Sequence, residues 1–202
     1  MKYIGEVEAE KFLSKKGFNV INSYFCSGKS KIKYGLKKVK VPFVMKVAGK
    51  NIVHKNKVGG IKLDVKTYSN AIDEFSKLRK IKGSNGVLFQ SKIGGREFLI
   101  GVKKTREFGQ VIGFGSGGVD VEEKKDVSFR VTPLDGEEIK KMIKETEVSR
   151  GLLKPDGKAI ENIILKLSKL LEKHPEISEL DINPLIVKDG IATIVDARMV
   201  LD

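Results

Sequence analysis

Asp189-Gly190, set between the apolar Leu185 to Val187 and the largely apolar Ile191 to Val195, constrains this chain more than any other dipeptide in it. An Asp-Gly pair between two such runs is the strongest short signal for a two-residue hairpin loop. A loop of that length sets Lys188 opposite Ile191, Val187 opposite Ala192 and Leu185 opposite Ile194. Counting outward in step places Asn183 opposite Asp196 and Asp181 opposite Arg198. Directly opposed side chains have Cβ atoms about 5 Å apart, so Asn183 and Asp196 can grip one ion together. One carboxylate, one amide oxygen and ligand phosphates make a donor set suited to Mg²⁺, which keeps several waters. The spacing alone leaves a second reading open, an edge hairpin bent at Pro184 with an ordinary Asp181–Arg198 pair.

Upstream of the hairpin, the elements alternate in type. Glu6 to Lys16 reads as a helix stopped by Gly17. Lys29 to Lys40 is lysine-rich and carries no clear pattern, and Val41 to Val47 reads as a strand. The pattern predicts a helix over Ser69 to Ile81 with Ser69 as its cap. Strands follow at Val87 to Lys92, Glu97 to Lys104, Val111 to Phe114 and, after a glycine-rich loop, Val127 to Val131. Asp135 with Glu138 three residues on has capping-box spacing. Pro155 opens a long amphipathic helix with Ala159, Ile160, Ile163, Ile164, Leu167, Leu170 and Leu171 on one stripe, ended by His174-Pro175. The class is α+β, in two lobes joined near Gln90.

Charge narrows the functional classes. The 202 residues carry 39 Lys and Arg against 26 Asp and Glu, a formal charge of +13. Basic surfaces attract phosphate backbones, yet only six of the basic residues are arginine and the lysines are dispersed along the chain. Readers of base edges lean on Arg, Asn and Gln. The expectation is therefore a basic surface that draws small anions, with no nucleic-acid partner. The longest apolar runs, such as Phe98 to Val102, fall far short of the ~18 residues of a membrane span, and MKYIGEVEAEKF has no signal-peptide core. No membrane partner and a cytoplasmic location are expected. The single cysteine, Cys26, excludes an internal disulfide framework.

Four further features invite chemistry. His54 lies among lysines and ahead of Gly59-Gly60 in KVAGKNIVHKNKVGG. Imidazole can act as a nucleophile that carries a phosphoryl group, with neighbouring cations offsetting its charge; a surface histidine in a loop is the plainer reading. His174, in the last turn of a helix, reads as structural. Gly113 to Gly118 matches G-x-G-x-x-G, but the segment after it is short, charged and followed by a strand, so the dinucleotide-binding reading fails. A close-approach loop near a phosphate or a simple turn remains. Gly28-Lys29-Ser30 is not a Walker A loop, because position 23 is serine where glycine is needed.

Five segments in order and in register closely resemble the ATP-grasp β subunits of ADP-forming acyl-CoA (acetyl-CoA) synthetases, relatives of succinyl-CoA synthetase. They are FVMKV around Lys46, HKNKVGGIKLDV from His54, REFLIGVKKTREFGQVIGFGSGGVDVE from Arg96, KDVSFRVTPL from Lys125 and ELDINPLIVKDGIATIVDARMVL from Glu179. The resemblance implies an ATP-grasp fold, two α+β lobes clamping a nucleotide: residues 1–90 with the phosphohistidine loop and residues 91–202 with the metal-binding hairpin. It implies that Lys46 contacts nucleotide phosphates, that Gln90 lies beside the base, and that Glu97 is the acidic residue of the next strand. Gly117 and Gly118 belong to a nucleotide-side glycine block that also holds Glu122 and Arg130, whose roles it does not assign. Asn183 and Asp196 match the Mg²⁺-binding pair, and His54 matches the histidine that exchanges a phosphoryl group with the nucleotide.

The same resemblance implies ATP or ADP as substrate, Mg²⁺ as cofactor, and a separate α subunit that binds CoA, in an α2β2 heterotetramer. The implied reaction is acyl-CoA + ADP + phosphate ⇌ acid + ATP + CoA, with Gly59 and Gly60 as hinges of a moving histidine loop. Two departures stand out: Gln90-Ser91 where relatives carry Gln-Glu, and Lys57 where they often carry aspartate. A succinyl-CoA synthetase-type β subunit is the nearest alternative, and a non-enzymatic basic binding module the remote one.

Overall fold

The computed structural model describes residues 1–49, 52, 55–118 and 126–202. In chain order the elements are β1 (Lys2–Ile4), α1 (Glu6–Lys15), β2 (Ser23–Cys26), α2 (Ile32–Leu36), β3 (Phe43–Ala48), β4 (Ile61–Val65), α3 (Tyr68–Leu78), β5 (Gly86–Ser91), β6 (Arg96–Thr105) and β7 (Gly109–Ser116). They continue with β8 (Val127–Val131), α4 (Gly136–Lys144), α5 (Lys154–Lys173), β9 (Ile177–Lys188), β10 (Ile191–Ile194) and β11 (Ala197–Leu201). Two units result. Met1–Ile4, Glu8–Val20 and Gly94–Asp202 make the larger, Gly5–Val7 and Ile21–Ile93 the smaller. A cut after residue 90 therefore lies just short of the crossing at Ile93–Gly94, and most of the first twenty residues join the C-terminal half.

In the larger unit a seven-stranded sheet runs β1-β11-β9-β6-β7-β8, with β10 on the far end of β9. Every neighbour pair within it is antiparallel. The stripe read from the sequence is what α5 buries: Ile160, Ile163, Ile164, Leu167, Leu170 and Leu171 enter one core with Ile139 and Met142 of α4 and Phe98, Ile100, Ile112, Phe114 and Ile182 of the strands. Each such side chain contributes about 1.5–3 kcal/mol on burial. His174 ends α5, its backbone N–H returning to the Leu171 carbonyl at 3.1 Å and its Nδ1 2.7 Å from Glu176 Oε1.

The hairpin has the register that its turn dictates. Asp189 and Gly190 have φ of +52° and +75°, as a type I′ turn requires. Lys188 faces Ile191, Val187 faces Ala192 and Leu185 faces Ile194, and Asp181 faces Arg198. The return arm is not one strand, however. Residues 195 and 196 interrupt it, so β9 pairs β10 along one stretch and β11 along another.

In the smaller unit the sheet order is β2-β5-β3-β4. Phe43, Met45, Val47, Phe75, Leu78 and Phe89 form its own core. The expected helix starts earlier and stops earlier than its apolar pattern suggested. Thr67, not Ser69, caps α3, its Oγ1 accepting from the Asn70 N–H at 3.1 Å. Thr67 has the extended backbone that a cap needs, and Ser69 lies inside the first turn.

At α4, Asp135 accepts from the Glu137 and Glu138 N–H groups at 2.9 and 2.8 Å. Glu138 does not return the capping bond; it is drawn instead to Arg130 Nε at 3.0 Å. The lysine-rich stretch holds a 3₁₀ turn, Lys29–Lys31, and the short α2, in which only Ile32 and Gly35 are buried. Strands β1, β2 and β4 are too short or too irregularly patterned to read from the sequence. The glycine-rich stretch differs from expectation too, since β7 runs on through Gly113 and Gly115 to Ser116.

Gly115 explains that composition. A Cβ there would fall onto the backbone carbonyl of Asp126, an atom that cannot turn aside. Gly115→Ala is therefore expected to push β7 off residue 126 and cost about 2 kcal/mol, a melting-temperature loss of roughly 4–8 °C for a chain of this size. Thermal unfolding of the variant measures it, and an unchanged melting temperature would refute the close approach.

Candidate functional site

In the larger unit the sequence candidates converge on one end of β6, β7 and β9. Asn183 lies on β9 opposite Asp196, its backbone N–H donating to the Asp196 carbonyl at 3.0 Å. Asn183 Oδ1 accepts the Gly118 N–H at 3.0 Å, which fixes the amide oxygen toward the glycine block. Gly118 has φ +90°, and a Cβ on it would come 2.7 Å from Glu97 Oε2, so the exposed Glu97 carboxylate sits on the other side of that glycine. Gly117 donates its N–H to the Glu97 carbonyl at 3.2 Å. A Cβ on Gly117 would lie 2.5 Å from the Phe98 carbonyl, so only glycine lets the chain pass there.

Side chains two residues apart on a strand share a face, so Asp181 stands beside Asn183, 2.9 Å from Arg198 Nε. Burial pushes the Asp181 carboxyl up; the Arg198 charge opposes this, and Asp196 and Glu179 add to it. The described residues hold no cluster of three or more His, Cys, Asp or Glu groups able to bind a metal by themselves. The donor set at Asn183 and Asp196, one amide oxygen and one carboxylate, fits a hard cation whose remaining positions are filled by phosphate oxygens and water.

Lys46 and Gln90 belong to the smaller unit. On the paired strands β3 and β5, Val44 faces Gln90 and Lys46 faces Leu88, so Lys46 and Gln90 are diagonal neighbours on one face. Both are buried, with 5% and 1% exposure, which is rare for these residue types. Lys46 Nζ is 2.9 Å from Glu6 Oε1, and Lys55 Nζ is 2.6 Å from Glu6 Oε2. Gly60 is pinned rather than loose: it donates to the Lys55 carbonyl and accepts from the Val47 N–H, each at 2.7 Å. Gly59, at φ +63°, is the position that calls for glycine's backbone freedom. His54 and Glu122 lie outside the described residues.

Arg130, left without a role by the sequence, is a structural clamp. Its guanidinium reaches Glu138 Oε2 at 3.0 Å, Glu145 Oε1 at 2.5 Å and Ser128 Oγ at 3.0 Å, tying β8 to α4. Asp126, which no sequence signal marked, does similar work at the end of the glycine block. Its carboxylate accepts from the Glu147 N–H at 2.7 Å, the Val148 N–H at 2.8 Å and Ser116 Oγ at 2.9 Å. Burial alone would raise this carboxyl; the Val148 and Glu147 bonds, then Ser116 and the Arg150 charge, outweigh it and hold it low.

A carboxyl depressed in the folded state contributes stability above its unfolded pKa, about 3.9, and loses it as pH falls through the lower folded value. Asp126→Asn is thus expected to cost about 2 kcal/mol at neutral pH, with the gap from the parent closing below about pH 4. Urea unfolding across that pH range tests the sign, and a gap that widens in acid would contradict it.

Part of the charge excess, dispersed along the sequence, is gathered in space. A cavity of about 820 Å³ in the larger unit is ringed by Lys140, Lys144, Arg150, Lys154 and Lys158, with Glu161 the acid in its lining. Cys26 is buried, its thiol directed to the Gly28 carbonyl at 3.2 Å. Among the described residues no helix is long and apolar enough to cross a membrane.

Comparison with known proteins places this geometry among relatives. The ATP-grasp domain family matches residues 1–201. Acetate–CoA ligase (ADP-forming) II of Archaeoglobus fulgidus is 38% identical over 202 residues, covering 97% of this chain and 30% of that protein. The chain thus spans under a third of that relative's length. The β subunit of acetate–CoA ligase (ADP-forming) I of Pyrococcus furiosus is 36% identical over 174 residues, covering 79% of this chain and 75% of the subunit. Among solved structures, the dinucleotide-forming acetyl-coenzyme A synthetase 1 of Ca. Korarchaeum cryptofilum, in complex with coenzyme A, Ca-AMPCP and HgCl⁺, matches with a TM-score of 0.90 at 30% identity, over 100% of this chain and 94% of that one. The same protein with coenzyme A and Mg-AMPPCP, its phosphohistidine segment pointing towards the nucleotide binding site, matches with a TM-score of 0.84 at 31% identity, over 100% of this chain and 93% of that one.

Proposed function

Because the chain belongs to the ATP-grasp family and is homologous to ADP-forming acetate–CoA ligases, β subunits among them, we propose that it is the nucleotide-handling subunit of an ADP-forming acyl-CoA synthetase. In this reading it exchanges a phosphoryl group between MgATP and His54, and an α partner carries CoA and the acyl chemistry. The overall reaction is acyl-CoA + ADP + phosphate ⇌ acid + ATP + CoA. The observation that carries the reading is the bond from the Gly118 N–H to Asn183 Oδ1 with Asp196 directly opposite. The bond holds one amide oxygen at the glycine block, on the residue opposite Asp196, whose carboxylate would complete a donor pair for Mg²⁺.

Mg²⁺ held by Asn183 and Asp196 would neutralise phosphate charge and orient the polyphosphate for in-line transfer. Lys46, buried on β3, contacts the phosphates and offsets charge as it spreads over the transferring group. Gln90, buried beside it, meets the base. An imidazole nitrogen of His54 forms the N–P bond as the bond from the γ-phosphorus to the bridging oxygen breaks, and ADP departs with that electron pair. Reversal of the same step returns the phosphoryl group to ADP.

Support comes from the relatives, whose names state the ADP-forming ligation, and from the neighbour that holds Mg-AMPPCP. The test is to incubate the full chain with γ-labelled MgATP and look for label that is stable to base and labile to acid. Labelled chain and released ADP are the expected result. A folded chain that binds MgATP yet takes up no label would overturn the transfer step.

A further inference from the structure

The ion pairs around Glu6 join residues far apart in sequence, and neither the family match nor the sequence pattern assigns this residue a task. Glu6 opens α1 with a side chain only 4% exposed. Its two oxygens take different cations: Oε1 accepts from Lys46 Nζ at 2.9 Å, while Oε2 lies 2.6 Å from Lys55 Nζ. Both lysines are largely withdrawn from water, at 6% and 13% side-chain exposure. No donor among the described residues is aligned with Oε2 as a hydrogen bond, so the Lys55 contact is Coulombic.

A buried carboxylate that loses its partner is strongly unfavourable, and a buried ammonium likewise. The three groups therefore hold one another in place. A lysine ammonium has three donors in tetrahedral array, so the bond to Glu6 orients Lys46 and is compatible with a second bond to a phosphate oxygen.

We propose that Glu6 is a positioning residue for phosphoryl transfer, its carboxylate aiming Lys46 and Lys55 at the polyphosphate and setting the charge that the transferring group meets. The inference rests on the reading of Lys46 as the phosphate contact. It goes beyond that reading in naming what orients the lysine and in bringing in Lys55, the residue directly after His54. An acidic group beside a phosphate site weakens ground-state attraction for the anion. Its presence is explained if alignment of the cations matters more than their charge alone.

The test is Glu6→Gln in the full chain, which keeps the shape and removes the charge, with Glu6→Asp beside it. In Glu6→Gln the rate of label transfer from MgATP should fall about 10- to 100-fold, as expected when a contacting group loses alignment. MgATP affinity should hold within about threefold or tighten, because a negative charge near the phosphates has gone. A merely structural role would lower the melting temperature and reduce binding and transfer together. Glu6→Asp keeps the charge but not the reach to both lysines, so its transfer rate should fall between the other two. It also carries the test if the glutamine variant does not fold.

Side-chain ¹⁵N spectra of the lysines, recorded without nucleotide, give a readout independent of activity. Two slowly exchanging ammonium signals should be seen in the parent chain and lost in Glu6→Gln. Equal transfer rates in parent and folded variants would overturn the inference, as would ammonium signals that Glu6→Gln leaves unchanged. A parent chain that takes up no label overturns the functional reading itself, and the inference with it, so the two failures are distinguishable.

Discussion

Replacing His54 with asparagine is expected to abolish label transfer from MgATP to the chain while MgATP affinity stays within about threefold, a remote-contact effect at most. Asparagine retains a hydrogen-bonding group of similar reach but has no basic nitrogen lone pair to attack phosphorus. The chain's other histidine, His174, ends α5 with its Nδ1 engaged by Glu176 and is not expected to replace it. The loss should therefore be complete and should extend to acyl-CoA-dependent ATP synthesis once an α partner is supplied. Calorimetry with MgADP and a labelling assay on the same preparation separate binding from transfer. Label retained on the asparagine variant would remove His54 from the reaction.

Asp196→Ala should act on metal binding in the larger unit, lowering MgADP affinity about 100-fold or more. Loss of an outer-sphere partner of a metal already costs 10- to 100-fold, and here a direct donor goes. Of the two donors Asn183 Oδ1 would remain, and that oxygen already accepts the Gly118 N–H. Asn183→Asp is the informative companion: it keeps an acceptor for Gly118 and adds a charge, so metal affinity should hold or rise. Asn183→Ala should lose both the metal contact and the tie to the glycine block. Titration of Mg²⁺ at fixed ADP, read by calorimetry, reports each shift. Unchanged affinity in Asp196→Ala would place the cation elsewhere.

These expectations draw on two kinds of information. The register of β9 with its partners was legible in the sequence because Asp189-Gly190 adopts positive φ cheaply and a two-residue turn leaves no freedom in pairing. The buried stripe of α5 was legible because a 3.6-residue period needs no knowledge of what covers it. The site candidates Lys46, Gln90, Glu97, Gly117 and Gly118 came from resemblance, and Asn183 and Asp196 from the hairpin register as well as from it. Their arrangement on β3, β5 and the β6–β7–β9 end followed only from the fold. The cap of α3 was misplaced because two hydroxyls stood close together and only the backbone conformation of Thr67 chose between them.

What local pattern cannot carry is closure over distance. Nothing near Glu6 in the chain announces Lys46 and Lys55, which reach it through the strand order of the smaller unit. Nor does G-x-G-x-x-G say that Gly115 is small to clear the Asp126 carbonyl and Gly117 to clear Phe98. Turn chemistry and apolar periodicity act between neighbours along the chain, so the sequence by itself determined the hairpin register and the buried helix faces. Buried ion pairs and backbone collisions act between neighbours in space, and the tertiary structure alone decided which charges meet and which residues must be glycine.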